Sequence, residues 1–453
     1  MVKTFAGLLN FKKIIINFLI LLFFPMQGLN SITLGQLISD EEIESTLTSW
    51  LNEIFGVAGI AMKPKVLLLA SNEVNAGATL GGRIIVYTGL ILKCQNVSQL
   101  LGVLAHETGH IAGAHSAKAA AAQNQALVPA AVTMLLSGAI AIASGSGDAL
   151  MAGLAGSSQI FERMMLKYSR QDEESADAAA LKYLTLLKWP THGLYEFLNL
   201  LDSNYTSDID PYTSTHPLSS ERKEKVRFFQ KESKSIITAS CLSVYEQRFQ
   251  RIKAKIKGFI DNPQQVLRDF KISDKNVPSR YGRAIALYRL GKTVEAMDLL
   301  DGLLKEFPND PFFLELKGQI SFEAGKILLA ITYFRQAFKN LPHAQVIPIF
   351  LSQALLENPN LKNNDLKEAI GYLNECSKHS PDSTFTWRLL AQAYGKNNQM
   401  DYMALCLAEE GLLINDLPMA KAQATKASKS LDISVCSRGK DILKQIALVD
   451  KAS

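Results

Sequence analysis

Leu104-Ala105-His106-Glu107-Thr108-Gly109-His110 sits within Ser98 to about Ala122, whose apolar positions Leu101, Leu104 and Ala105 predict one helix with Ser98 as its N-cap. On a 3.6-residue helix His106 and His110 fall on one face, a turn apart, where two imidazoles can share a single metal ion. Glu107 stands beside them, placed to take a proton from water that such an ion acidifies. The same five residues also arise on plain solvated helix faces, so their surroundings decide the reading.

A tetrahedral site needs a third protein ligand and one open position. Ile160 to Leu187 predicts a second long helix, ended by Trp189-Pro190. On it Glu173 and Asp177 share a face at i and i+4, so one carboxylate can reach the metal while the other accepts an imidazole N–H and fixes that ring. Glu174 competes for the ligand role, but it points about 100 degrees away. Ala176 and Ala180, facing Gly109 and Gly113, predict that the two helices approach closely. His115 is turned off the metal face and is expected to support the fold or a ligand. Arg170 is expected to pair with the neighbouring acids. His216, in the rigid segment Thr215-His216-Pro217 with Arg222 six residues on, fits either a cleft or a loop anchor by spacing alone.

Upstream, Asp40 to Phe55 has helical periodicity and Val66 to Ala70 reads as a strand. Gly81-Gly82 opens the β-branched run Arg83-Ile84-Ile85-Val86-Tyr87, bounded by Thr88-Gly89. A strand of that kind suits close passage of another backbone or a bound chain.

At the N-terminus Lys3, Lys12 and Lys13 precede the apolar run Ile14 to Pro25, which predicts a secretory signal peptide over 1–30, with an uncleaved anchor as the alternative. Ala126 to Ala143 is nearly long enough to cross a bilayer, but Pro129, Gly138 and its alanines favour a buried helix or hydrophobic hairpin. With 47% hydrophobic and 20% charged residues the composition favours neither disorder nor a multi-span membrane protein, and a net charge of +5 without a basic-aromatic stripe argues against nucleic acid. The five cysteines form no CxxC pair, so they make no metal site. Cys376 and Cys406 could bridge, but free thiols are expected.

Beyond the break expected at 256–279, Leu290-Gly291-Lys292 returns as Ala324-Gly325-Lys326, and Phe307-Pro308 as Leu341-Pro342, at a spacing of 34 residues. A third unit, marked by Ala369 and Pro381, is displaced by 39, and a degenerate fourth runs from Trp387 through Ala404. This pattern resembles tetratricopeptide repeats. The expected organisation is a metallopeptidase domain over 31–255, a linker over 256–279, repeats over 280–415 and a helix with tail over 416–453. The fold class is mainly α: an α+β gluzincin-type domain with a small sheet, then an α-solenoid.

Taken in order, Asn75-Ala76, Gly82 to Val86, the histidine helix, Glu173-x-x-x-Asp177, Thr215-His216-Pro217-Leu218 with Arg222, and the repeats resemble the zinc metallopeptidase family that includes the CAAX prenyl protease and HtpX, in its BepA-like periplasmic branch. The resemblance implies one zinc ion per chain held by His106, His110 and Glu173, with Glu107 as general base and Asp177 and Arg222 supporting the ligands. It implies that Arg83, Ile84, Ile85, Val86 and Tyr87 bind substrate backbone by β-augmentation. It also favours His216 as a regulatory fourth ligand. The family's Glu-x-Glu-Ala-Asp reads Glu173-Glu174-Ser175-Ala176-Asp177 here. By implication the chain is an exported, periplasmic endopeptidase acting on misfolded or stalled envelope proteins. Its repeats would dock substrates or outer-membrane assembly machinery, with peripheral membrane association possible in principle. The alternative is a latent, chaperone-like scaffold, or a membrane-anchored form.

Overall fold

The computed structural model describes residues 37–79, 82–115, 168–202, 211–232 and 239–452. The expected signal peptide, Gly81 and the segment Ala126 to Ala143 lie outside them.

A four-stranded sheet, ordered β1-β2-β4-β3, forms from Leu37–Ile38 (β1), Lys65–Leu69 (β2), Ala76–Ala78 (β3) and Arg83–Tyr87 (β4). Strand β4 runs parallel to β2 and antiparallel to β3, so both of its edges are hydrogen-bonded. This corrects the role expected of Arg83 to Tyr87: an inner strand has no edge left for a substrate strand, and β-augmentation requires one. Among the described residues β3 pairs with β4 alone and forms the sheet margin.

Helix α1 (Glu41–Ala58) covers the sheet with Trp50, Leu51 and Ile54, all fully buried. It starts where Asp40 accepts the Ile43 N–H and ends at Gly59 in the left-handed region. After α2 (Thr88–Lys93) comes the central helix α3 (Val97–Ala112), buried along nearly its whole length. Its cap is Asn96, not Ser98, because the Asn96 side chain accepts from the Gln99 N–H at 3.1 Å. It stops at Ala112, earlier than expected, because Ala114 turns to φ 52°.

Helix α4 (Arg170–Leu186) begins at Ser169, which forms a capping box with Asp172. Glycines seat α3 between its neighbours. A Cβ on Gly109 would lie 2.8 Å from the Ala176 carbonyl of α4, and one on Gly193 would lie 2.0 Å from the Ser98 carbonyl of α3. Gly193 belongs to α5 (His192–Asp202), which is followed by α6 (Pro211–Thr215) and α7 (Ser220–Glu232).

Helix α8 (Ala239–Ile260) reaches into the stretch 256–279 expected as a linker, and the short α9 (Pro263–Asp269) fills part of the rest. The helical pairs follow: α10 (Val277–Arg289) with α11 (Thr293–Glu306), and α12 (Pro311–Glu323) with α13 (Ile327–Asn340). Gly291 and Gly325 turn each pair at φ 73° and 72°. Phe307, Leu341 and Ser380 end the second helices with nearly one backbone geometry, φ −129°, −136° and −131°. The third pair is α14 (Ile347–Leu356) with α15 (Asn363–His379), and α16 (Thr384–Lys396) with α17 (Met400–Leu413) makes a fourth. The tail expected over 416–453 holds two helices, α18 (Leu417–Ala427) and α19 (Ile433–Ala452). Cys94, Cys376 and Cys406 are buried free thiols.

The halves meet through buried charge. One Glu41 oxygen accepts from the backbone N–H groups of Gln345 and Val346, each at 2.6 Å. Arg251 bridges Glu42 and Asp310 while lying over the Phe313 ring, and Lys255 reaches Asp40 at 2.8 Å. At the surface Lys65 and Arg83, which begin β2 and β4, both face Asp382 of the repeats, at 3.9 and 3.7 Å.

Candidate metal centre

Helix α3 presents His106 and His110 on one face, with their Nε2 atoms 3.1 Å apart. Glu173 of α4 spans both, Oε2 standing 3.4 Å from His106 Nε2 and Oε1 3.3 Å from His110 Nε2. His216 approaches from the end of α6, with Nδ1 2.9 Å from Glu173 Oε1. One ligand atom from each of these four buried residues lies within 4.8 Å of the others.

The tautomers follow from the outer partners. His106 Nδ1 lies 2.9 Å from Asp177 Oδ1, an acceptor, so when Nε2 gives its lone pair to an ion the ring proton sits on Nδ1. Asp177 is in turn held by Arg222, through Nε at 2.5 Å and Nη2 at 3.0 Å, and Arg222 Nη1 contacts Glu173 Oε2 at 2.5 Å.

Burial alone would discharge His106, but Asp177 and Glu173 outweigh it and push its pKa up to about 9. His110 goes the other way: burial, reinforced by His106 and His216, presses it down to about 2 against the pull of Glu173. Burial opposes ionisation of Glu173 and Asp177 too, yet the imidazoles around Glu173 and the guanidinium beside Asp177 hold both below the usual carboxylate range. A neutral imidazole and two anionic carboxylates at one buried point suit a cation. Among the described residues the buried His216 Nε2 has no hydrogen-bond partner, as expected of a group made for an ion. The donor set therefore fits a divalent metal bound by nitrogen and carboxylate oxygen.

Burial raises the Glu107 pKa, with His216 and His106 opposing. His216 Nε2 stands 3.6 Å from Glu107 Oε1, so the imidazole fills the space in front of that carboxylate. Glu174 is turned away from the cluster and pairs with Lys225, which removes it as a ligand. Arg170 is exposed, and no contact of it with the acids of α4 is found among the described residues.

Sequence reasoning missed two aromatics. Tyr168 stacks on His110 at 3.8 Å, and Tyr212 stacks on His216 at 4.5 Å. The Tyr168 hydroxyl donates to the Ala78 carbonyl at 3.2 Å, and its backbone N–H to the Thr215 carbonyl at 3.3 Å. The only sequence signal for Tyr168 is that it precedes the cap of the acidic helix.

Residues 41–228 match the model of Peptidase family M48, and 279–310 a tetratricopeptide repeat. The beta-barrel assembly-enhancing protease of Escherichia coli (strain K12) is 27% identical over 375 residues, which span 81% of this chain and 74% of that protein. Its Yersinia pestis counterpart is 27% identical over 403 residues, 86% of this chain and 80% of its own length. The metalloprotease YcaL of Escherichia coli is 34% identical over 161 residues, 35% of this chain and 58% of that one.

Proposed function

We propose, on the premise that residues 41–228 of this metallopeptidase are a Peptidase family M48 domain, that the chain is a zinc endopeptidase held latent by His216 and acting on envelope proteins. The observation that carries the reading is the four-residue cluster of His106, His110, Glu173 and His216, with Glu107 beside it.

In this reading His106, His110 and Glu173 hold one zinc ion. Bound there, zinc supplies Lewis acidity for the scissile carbonyl and for water. Glu107 takes the proton of the attacking water at its carboxylate and returns it to the leaving amine. Burial raises its pKa, which makes the carboxylate a stronger proton acceptor. Asp177 keeps His106 in its ligating tautomer, and Arg222 keeps Asp177 and Glu173 in place. The substrate pairs with β3 rather than β4. Before it can do so, the Tyr168 hydroxyl must leave the Ala78 carbonyl, where an incoming backbone N–H would bond.

Latency is supported by the position of His216, which takes the place that water and substrate need in front of Glu107. Repeats of this type bind other proteins, and the names of the relatives point to β-barrel assembly. We therefore assign the chain to the periplasm, reached through the signal at 1–30, with repeats that dock unfolded clients or the assembly machinery. No helix among the described residues is long and apolar enough to cross a membrane.

Glu107→Gln should keep zinc and lose about 10²- to 10⁴-fold in peptide hydrolysis. His216→Ala should keep zinc and raise hydrolysis of an unfolded substrate above wild type. Equal activity of Glu107→Gln and wild type would sink the enzymatic reading. The position of His216 also favours a second reading, a scaffold with a silenced centre. That reading wins if Glu107→Gln fully restores outer-membrane assembly in a strain lacking the protein.

A further inference from the structure

We infer that His115 is a positioning residue for His110, the acceptor in a one-way hydrogen-bond relay that fixes the second ligating imidazole. The inference rests on the reading of His110 as a ligand.

His110 Nε2 faces His106 and Glu173, so if it ligates, it presents its lone pair and the ring proton sits on Nδ1. That N–H needs an acceptor. His115 Nδ1 lies 3.0 Å away, and both rings are buried. His115 must then accept at Nδ1 and carry its own proton on Nε2. Ser175 Oγ stands 3.1 Å from that nitrogen and Asp172 Oδ1 3.6 Å. Ser175 in turn donates to the Asp172 carbonyl at 2.9 Å. Each member donates once and accepts once in the same direction, so the chain has no conflict at any joint. Gly113 makes the room, because a Cβ there would lie 2.2 Å from His115 Nε2.

The two ligand imidazoles thus have different supports. His106 leans on a carboxylate, His110 on a neutral ring. A carboxylate behind both would add a further negative charge to a centre that already holds Glu173 and Asp177.

The test uses the full chain loaded with zinc, and reads zinc affinity by competition with a chromophoric chelator. His115→Leu keeps bulk but offers no acceptor, and should weaken zinc about 10- to 100-fold. His115→Asn can place Oδ1 where Nδ1 was, and should stay within a few-fold of wild type. Equal loss in both variants, or no loss in His115→Leu, overturns the inference. His110→Ala separates the two readings: if it binds zinc like wild type, the ligand assignment itself has failed. Should His115→Leu not fold, the wild type decides by nitrogen NMR of labelled histidines. A scalar coupling between His110 Nδ1 and His115 Nδ1 through the shared proton supports the relay. Protonation of His110 at Nε2 in the zinc-loaded chain refutes it.

Discussion

Arg222 is among the largest fully buried side chains of the molecule, and it faces two carboxylates. Replacing it with Met keeps the volume and strands Glu173 and Asp177 without their countercharge. Removal of one partner from a buried ion cluster costs roughly 3–5 kcal/mol. We expect Arg222→Met to lower the melting temperature of the metal-free protein sharply and that of the zinc-loaded protein less, because a cation at the cluster restores part of the lost charge. Equal losses in the two forms would contradict that account. At this scale the sequence was informative where spacing carries geometry: the i, i+4 pairs His106/His110 and Glu173/Asp177 fall where a helix puts them. Tyr168 and Tyr212 were not legible, because stacking on a histidine depends on a meeting of loops that no local spacing records. His115 was legible only as off the metal face. Its contact with His110 comes from the turn at Ala114, which bends the chain back.

Helices α3 and α4 touch backbone to backbone at Gly109 and Ala176, and this sets the distance across which Glu173 reaches both imidazoles. Intrinsic propensity says that Ala at a helix-interior Gly gains about 1 kcal/mol. Here packing should win, since a Cβ at 2.8 Å from a carbonyl oxygen forces the helices apart. Gly109→Ala should lose about 1–3 kcal/mol in chemical denaturation and weaken zinc binding along with it. A more stable variant would show that the contact yields. The sheet shows the opposite limit of sequence reading. Arg83 to Tyr87 has every mark of a strand and is one, yet its neighbours on both sides come from segments that reveal no register. Ala76–Ala78, the margin strand, has little strand propensity and is held by pairing with β4. Element type could be read from the chain, but pairing order could not.

Across the whole molecule, the repeats were visible because a turn glycine, a small residue at the helix contact and a closing segment return at one spacing. How they dock was not visible, since Glu41 and the amides it serves are more than 300 positions apart. The junction is rich in acid. Glu41 and Glu42 have raised pKa values because burial outweighs their amide and cationic partners. Burial pushes Glu315 up to about 8, against Lys255. A folded pKa above the usual 4.5 means that the folded state holds the proton more tightly. Its contribution to stability is complete below pH 4.5 and fades as pH rises to about 8. Glu315→Gln, which stays neutral, should flatten the fall in melting temperature between those values. An unchanged profile would place the pH dependence elsewhere.

Lys65 and Arg83 start the two parallel strands of the sheet, and both lean on Asp382 of the repeats, while Glu41 at the head of α1 closes the start of α14. If the repeats dock a client as proposed, a pull on their outer turns reaches the bed of the metal centre through both of these contacts. One is the half-buried pair of cations, which slips more easily in salt. The other is the buried carboxylate, which does not. The repeats are thereby coupled to the sheet by one firm and one yielding contact, so a force on them would act unevenly on its two ends.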